Sequence, residues 1–125
     1  MNDESAHKRQ FAERFEELRI WNDARALVRD VYRAFSTCRD FSFRDQIQRA
    51  ALSVMNNIAE GFERHTAKDF AHFLDLAKGS AGEVRSMTYA AEDLGLLPAP
   101  ESRILHDSAC ALSCGIAALT RHLRE

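Results

Sequence analysis

The side chains in this sequence that are best suited to chemistry are three potential metal ligands, His65, Asp69 and His72, which share one face of a predicted helix. Their Asp-x-x-His spacing approaches the Glu-x-x-His motif of di-iron four-helix bundles. Such a site needs a second copy of the motif and a glutamate from each of two further helices, and the sequence holds no second copy. We therefore expect surface residues near a helix N-terminus, with no bound metal and no cofactor.

Cysteine and serine nucleophiles are the other residues that could carry out a reaction. Cys110 and Cys114 lie one helical turn apart without a histidine at zinc-finger spacing, so we expect small buried apolar residues there. No glycine-bearing nucleophile elbow, phosphate-binding loop or dinucleotide fingerprint occurs. The sequence therefore predicts a protein that is not an enzyme. A metal-dependent enzyme of ferritin-like type is the reserve hypothesis.

A row of arginines is the main candidate for binding. Arg25, Arg29 and Arg33 recur every four residues on the polar side of a predicted helix. Guanidinium groups suit phosphate oxygens, so the row is a candidate nucleic-acid surface, whereas a solvated face is the alternative interpretation. The net charge of -2 and the pI near 6.2 argue against a strongly electrostatic nucleic-acid binder. Residues 19–49 nevertheless hold seven arginines against four aspartates.

Length and composition indicate one globular domain. A chain of 125 residues, 46% of them hydrophobic, is long enough for one core and too short for two. No run of about 18 apolar residues occurs, so no membrane span is predicted. The polar N-terminus lacks the apolar region of a signal peptide, which indicates a cytoplasmic location. We predict a loosely ordered N-terminal arm at residues 1–16 and a single domain at residues 17–125.

Four stretches of helical periodicity position these side chains. The predicted bounds are about 22–37, 42–63, 66–94 and 101–124. Asn22 or Asp23 would cap the first helix, and Ser42 and Thr66 each open a capping-box pattern. Gly95 is expected to end the third helix. Four helices with short connections predict an all-α fold, an antiparallel up-down-up-down four-helix bundle.

Each predicted helix has one apolar stripe at 3.6-residue spacing that should face the core. On the first helix the stripe is Ile20, Ala24, Leu27, Val28, Val31 and Phe35. On the second helix it is Ile47, Ala50, Ala51, Val54, Ile58 and Phe62. On the fourth helix it is Ile104, Leu105, Ala109, Leu112, Ile116, Leu119 and Leu123.

Polar residues occupy a second face of the second helix. They are Arg49, Ser53, Asn56, Asn57 and Glu60. Asparagine inside a helix is less favourable than alanine by about half a kcal/mol, so another interaction should compensate. We expect these side chains to hydrogen-bond across to the third helix, because a satisfied polar network specifies one packing.

The third predicted helix contains two interior glycines, Gly79 and Gly82. Each costs roughly 1 kcal/mol relative to alanine, and close approach of a neighbouring helix would compensate. This helix is also apolar or small over more than half of its circumference, which is more than the partner helices of a single chain require. We therefore predict self-association.

Three linked runs form a recognisable pattern. They are Phe41-x-Phe43-x-Asp45-Gln46-Ile47-x-Arg49-Ala50-Ala51, Ser53-Val54-x-x-Asn57-Ile58-Ala59-Glu60-Gly61-Phe62, and Lys68-x-Phe70-x-x-Phe73-Leu74-x-x-Ala77-x-Gly79-Ser80-x-x-Glu83. The pattern closely resembles the four-helix-bundle family of bacterial proteins encoded in intervening sequences of large-subunit (23S) ribosomal RNA genes. The accessory variability determinant of diversity-generating retroelements is a relative. Trp21-x-x-Ala24, Val31-Tyr32 and Leu94-Gly95 extend the resemblance over residues 15–123.

The resemblance implies a ring-shaped homopentamer of antiparallel four-helix bundles. In the retroelement relatives the ring binds a reverse transcriptase and nucleic acid through a basic surface, whereas this chain is mildly acidic. The motif residues carried over to this chain are Asn57, Glu60, Gly61, Gly79, Ser80 and Glu83. We assign them, together with Arg49, to helix packing and an internal polar network and not to catalysis.

Two functions are consistent with these features. The first is a homopentameric adaptor associated with RNA or DNA, in which repeated copies of the arginine row act together. The second is a scaffold that holds a partner protein, such as a reverse transcriptase, and binds no nucleic acid. Neither function involves a membrane.

Overall fold

Four α-helices make up most of the computed structural model, which describes residues 12–125. They are α1 (Arg19–Ala34), α2 (Phe41–Phe62), α3 (Ala67–Asp93) and α4 (Ala99–Leu123). A short 3-10 helix, Phe15–Glu17, precedes α1. The described residues include no strand, so the fold is all-α as predicted. Residues 1–11 of the predicted N-terminal arm lie outside the described part of the chain.

The contacts between α2 and α3 show that these helices are antiparallel. Gln46, near the start of α2, donates a hydrogen bond to Glu83 in the second half of α3, over 3.3 Å. Gly61, near the end of α2, lies against Phe73 in the first half of α3. Residue numbers therefore rise along one helix as they fall along the other.

The remaining helices close the bundle. Arg103 near the start of α4 pairs with Glu92 near the end of α3 at 3.4 Å, and Arg124 pairs with Asp75 at 2.6 Å. The hydrogen bond to Asp75 raises the pKa of Arg124 above its usual value. Because α1 packs against both α2 and α4, the predicted antiparallel up-down-up-down four-helix bundle is confirmed.

The start of α1 differs from the sequence prediction. The helix begins at Arg19 and its N-cap is Leu18, not Asn22 or Asp23. Asn22 already lies inside the helix, where its Nδ2 donates to the carbonyl oxygens of Glu16 at 2.8 Å and Leu18 at 3.0 Å. The asparagine side chain thus ties the 3-10 helix to α1, because it bonds the Glu16 carbonyl of the former and the Leu18 carbonyl at the N-cap of the latter.

The N-caps of α2 and α3 are side-chain caps. The carboxylate of Asp40 accepts a hydrogen bond from the Phe43 amide at 3.1 Å, so α2 begins two residues earlier than the Ser42 capping box predicts. At α3 the Thr66 hydroxyl accepts from the Asp69 amide at 3.1 Å, in the predicted position. An Asp side chain competes well with Ser as an N-cap, which explains the earlier start of α2.

Gly95 ends α3 as predicted. Its φ of +68° is the left-handed conformation that glycine adopts without steric cost. The Leu96 amide donates to the Ala91 carbonyl at 2.9 Å and the Gly95 amide donates to the Glu92 carbonyl at 3.2 Å. These two bonds form a Schellman motif, which satisfies the last carbonyls of the helix and turns the chain towards α4.

The core consists mainly of the predicted apolar stripes. Phe35, Ile47, Ile58 and Phe70 are among the largest side chains that are fully buried. Ile104 is an error of the prediction, because 65% of its surface is exposed. The buried positions of α4 follow the spacing Leu105, Ala109, Leu112 and Ile116, so Ile104 lies about 100° away from the first of them.

The cap assignment of α2 can be tested by substitution. Asp40→Ala should lower the free energy of unfolding by about 1 kcal/mol, because the Phe43 amide loses its acceptor. Ser42→Ala is the matched control and should change it by less than about 0.5 kcal/mol, since Ser42 is exposed. Urea unfolding followed by far-ultraviolet circular dichroism measures both. A larger loss at Ser42 than at Asp40 would contradict the assignment.

Candidate nucleic-acid interface and helix-packing site

The arginine row, which consists of Arg25, Arg29 and Arg33, lies on the outer face of α1, and all three side chains are exposed. The Arg25 guanidinium lies over the Trp21 ring, 5.8 Å from its centroid. Arg29 pairs with its neighbour Asp30 at 3.3 Å. An open groove of about 570 Å³ runs beside Arg25 and Arg29.

The charges around the arginine row leave it available to an anion. Arg25 and Arg33 form no ion pair within residues 12–125, and the pair between Arg29 and Asp30 is exposed on both sides. Exposed pairs contribute only about 0–1 kcal/mol, so a phosphate can displace Asp30 at low cost. The row can therefore present three guanidinium groups to phosphate oxygens along one helix face.

A polar seam joins α2 to α3, formed by Gln46, Ser53, Asn57, Ser80 and Glu83. The hydroxyls of Ser53 and Ser80 are 2.9 Å apart across the two helices. Asn57 does not reach α3 directly. Its Nδ2 donates to the Ser53 carbonyl at 2.9 Å and to the Ser53 hydroxyl at 3.0 Å, so Asn57 orients the serine that makes the interhelical bond.

Three polar residues predicted for this face lie outside the seam's hydrogen bonds. Glu60 pairs with Arg64 at 3.1 Å, one turn further along the chain, because the two side chains are neighbours at i and i+4. Asn56 is exposed. Arg49 is also exposed and lines an open groove of about 350 Å³ above Ser53 and Ser80.

Gly61 is the glycine at which α2 and α3 approach most closely. A Cβ at this position would lie 2.6 Å from the Phe73 Cβ and 3.3 Å from the Phe70 carbonyl oxygen. Neither atom is the flexible end of a side chain, so any side chain at Gly61 would push the helices apart. The aromatic rings of Phe62 and Phe70 pack edge to face at 5.7 Å beside this contact.

Gly79 and Gly82 are not packed inside the described chain. A Cβ at either position would have no atom within 4 Å. The expected close approach of a neighbouring helix is therefore wrong for helices of the same chain, because the α2–α3 contact is centred on the Ser80 side of α3. Contact of Gly79 with a second copy of the protein stays a prediction.

The potential metal ligands do not form a cluster. His65, Asp69 and His72 are all exposed, and Asp69 lies in the first turn of α3. Among residues 12–125 no group of three histidine, cysteine or carboxylate side chains is close enough to hold a metal ion. Cys114 is exposed, which is contrary to its expected burial, and Cys110 is half-buried.

One polar cluster was not anticipated from the sequence. The Tyr89 hydroxyl and His106 Nε2 are 3.1 Å apart across α3 and α4, and the Cys110 sulfur lies 3.7 Å from the same nitrogen. The groove beside them has a volume of about 400 Å³ and includes Ser102, whose buried hydroxyl has no hydrogen-bond partner. The i, i+4 spacing of His106 and Cys110 was the only sequence signal of this cluster.

These features define the class of the protein, a four-helix bundle with a polar seam between α2 and α3 and the arginine row on α1. Within the described residues no helix is long and apolar enough to cross a membrane. Residues 16–117 match the family model described as 23S rRNA-intervening sequence protein, and the chain belongs to this family. No curated protein matches the chain.

The two kinds of glycine site should respond differently to alanine. Gly61→Ala should lower the free energy of unfolding by roughly 1–3 kcal/mol, because the new methyl group overlaps Phe73. Gly82→Ala meets open space and should raise it by up to about 1 kcal/mol, since alanine is the better helix former. Urea unfolding at one protein concentration compares them. Equal stability of Gly61→Ala and the unmodified protein would show that α2 and α3 are not in close contact there.

Proposed function

We propose that this protein is a non-enzymatic homo-oligomeric helical bundle, a pentameric ring, that acts as an adaptor associated with nucleic acid. The observation that supports nucleic-acid binding most directly is the arginine row. Three exposed guanidinium groups lie along one face of α1, and two of them have no ion-pair partner in the described chain. Membership of the 23S rRNA-intervening sequence protein family is consistent with this role.

Repetition of the arginine row in the oligomer compensates for the slightly negative net charge of each chain. A single copy with net charge -2 gains little from long-range electrostatic attraction. In a ring, each bound row raises the effective concentration of the next row near the same nucleic acid. The assembled protein then binds RNA or DNA through several weak contacts, and this binding weakens steeply as salt rises.

Self-association is supported by the outer face of α3. Gly79 is exposed in the interior of a helix, where glycine costs roughly 1 kcal/mol relative to alanine, and no close contact with residues 12–125 compensates for this cost. Leu76, one turn earlier, is also exposed. A second copy packed on this face would bury the leucine and use the space that the glycine leaves open.

Substitution of the arginine row tests nucleic-acid binding. Arg25→Gln, Arg29→Gln and Arg33→Gln together should abolish binding of a labelled structured RNA and of a single-stranded DNA in fluorescence anisotropy. Each phosphate contact that is lost should reduce the salt slope by about 0.7–0.9. The matched control replaces Lys68, Lys78 and Arg85 of α3 with glutamine, which removes the same charge from exposed positions elsewhere.

The two triple variants separate a local site from net charge. The control should bind nearly as tightly as the unmodified protein, and both variants should keep its oligomeric mass in light scattering. Unchanged binding by the arginine-row variant would overturn the assignment of binding to this row. Absence of binding by the unmodified protein at low salt would overturn the nucleic-acid function.

The assembly has its own test. Gly79→Leu should reduce the oligomeric mass measured by light scattering, because the larger side chain cannot fit a close helix contact and overpacking costs roughly 1–3 kcal/mol. Lys78→Leu is the control, since it places the same leucine side chain at an exposed position about 100° around the helix, where a long side chain is already accommodated. A Gly79→Leu protein of normal mass and stability would exclude this face as the packed interface.

A protein-binding scaffold is the second candidate function. It is favoured by three exposed apolar side chains around the turn between α3 and α4, namely Tyr89, Leu94 and Ile104. Two results together would establish the scaffold in place of the adaptor. The protein would bind no nucleic acid at low salt, and it would bind a stoichiometric protein partner that is lost when Leu94→Asp and Ile104→Asp are introduced.

A further inference from the structure

Two aromatic rings accompany the arginine row, an exposed tyrosine and a half-buried tryptophan. Tyr32 lies in the last turn of α1, between Arg29 and Arg33 in the sequence, and 41% of its surface is exposed. Residues three and four apart are neighbours on a helix surface, so Tyr32 is adjacent to Arg29. Trp21 lies at the other end of the row, beneath Arg25. The row is therefore bordered by an aromatic ring at each end, roughly 16 Å apart along the axis.

A second arginine and aromatic pair lies at the start of α2. Phe41 is its first residue and is 58% exposed, and the Arg44 guanidinium lies 4.8 Å from the centroid of its ring. Contact between the rings of Phe35 and Phe43, at 5.7 Å, fixes the end of α1 against the start of α2. Tyr32 and Phe41 consequently lie at the same end of the bundle.

The carboxylates of this region are already engaged. Asp30 pairs with Arg29 and Asp45 pairs with Arg44, both through exposed contacts between sequence neighbours. Asp40 accepts the hydrogen bond that caps α2. Two of these carboxylates are thus paired with an arginine and the third with a helix N-terminus, which offsets part of the negative charge beside the row, whereas Arg33 forms no ion pair within residues 12–125.

This combination points to one class of nucleic acid. We infer that the surface formed by the arginine row, Tyr32 and Phe41 binds single-stranded nucleic acid, with phosphates on the arginines and unstacked bases on the two rings. The inference rests on the proposed nucleic-acid function. Bases in a duplex already stack on each other and offer no open face, whereas each base of a single strand can stack on an exposed ring. A duplex would use only the arginines.

The experiment compares one labelled RNA of unstructured sequence, about 20 nucleotides long, with the duplex that it forms with its complement. Fluorescence anisotropy is measured at several salt concentrations. The unmodified protein should bind the single strand more tightly than the duplex. Tyr32→Ala with Phe41→Ala should weaken single-strand binding about tenfold or more, because stacking is worth roughly 1–3 kcal/mol per base. Duplex binding should stay the same.

The salt slope distinguishes stacking from charge. The slope counts neutralised phosphates, so it should be unchanged in the aromatic variant and reduced in the arginine-row variant. Tyr32→Phe with Phe41→Tyr keeps both rings and should bind as the unmodified protein does. Tyr89→Ala is the matched control, because Tyr89 is 60% exposed but its hydroxyl contacts His106 and it lies outside the row.

The outcomes separate this inference from the proposed function. If the unmodified protein binds neither RNA form at low salt, nucleic-acid binding itself is wrong, and the inference falls with it. If it binds the duplex as tightly as the single strand, or if the aromatic variant keeps full affinity, only the single-strand inference is overturned. Loss of oligomeric mass in the aromatic variant, with RNA binding retained, would instead assign the rings to a protein interface and overturn the inference.

Discussion

The close contact of α2 with α3 is the constraint on which the rest of the structure depends. Gly61 lets the two backbones approach until Phe73 and the Phe70 carbonyl occupy the space of a side chain. Further along the same pair, the hydroxyls of Ser53 and Ser80 meet at 2.9 Å. The glycine contact sets the separation of the helices, and the polar seam sets their register, because hydrogen bonds are directional whereas apolar packing is not.

This register determines what remains on the outside. With Ser80 directed at α2, Leu76 is exposed, and a Cβ at Gly79 would have no atom of residues 12–125 within 4 Å. The same geometry leaves Arg49 at the rim of the groove above the seam. The motif residues thus divide into some that hold the bundle together and some that are available to a second copy. We propose that the second group forms the contact between copies.

Arg33 and Tyr32 of α1 and Phe41 of α2 lie outside the core, and this makes them the better candidates for function. Arg33, Tyr32 and Phe41 could be replaced by many polar residues without loss of core packing, because all three are exposed. Their charge and ring faces nevertheless occur together at one end of the bundle. Adaptor function through such a surface needs no catalytic group, and an oligomer would repeat it at fixed spacing, which links the proposed assembly to the proposed binding.

Local patterns in the sequence determined the number and order of the helices, the Thr66 cap, the Gly95 stop and most of the core, because each depends on residues within a few positions of one another. The outward direction of Arg25, Arg29 and Arg33 follows from the same periodicity. Tertiary structure alone decided that Gly61 is packed and Gly79 is open, that Ile104 is exposed, and that Tyr89 meets His106. These features depend on the rotation and separation of neighbouring helices, which are set by contacts between residues far apart in the sequence.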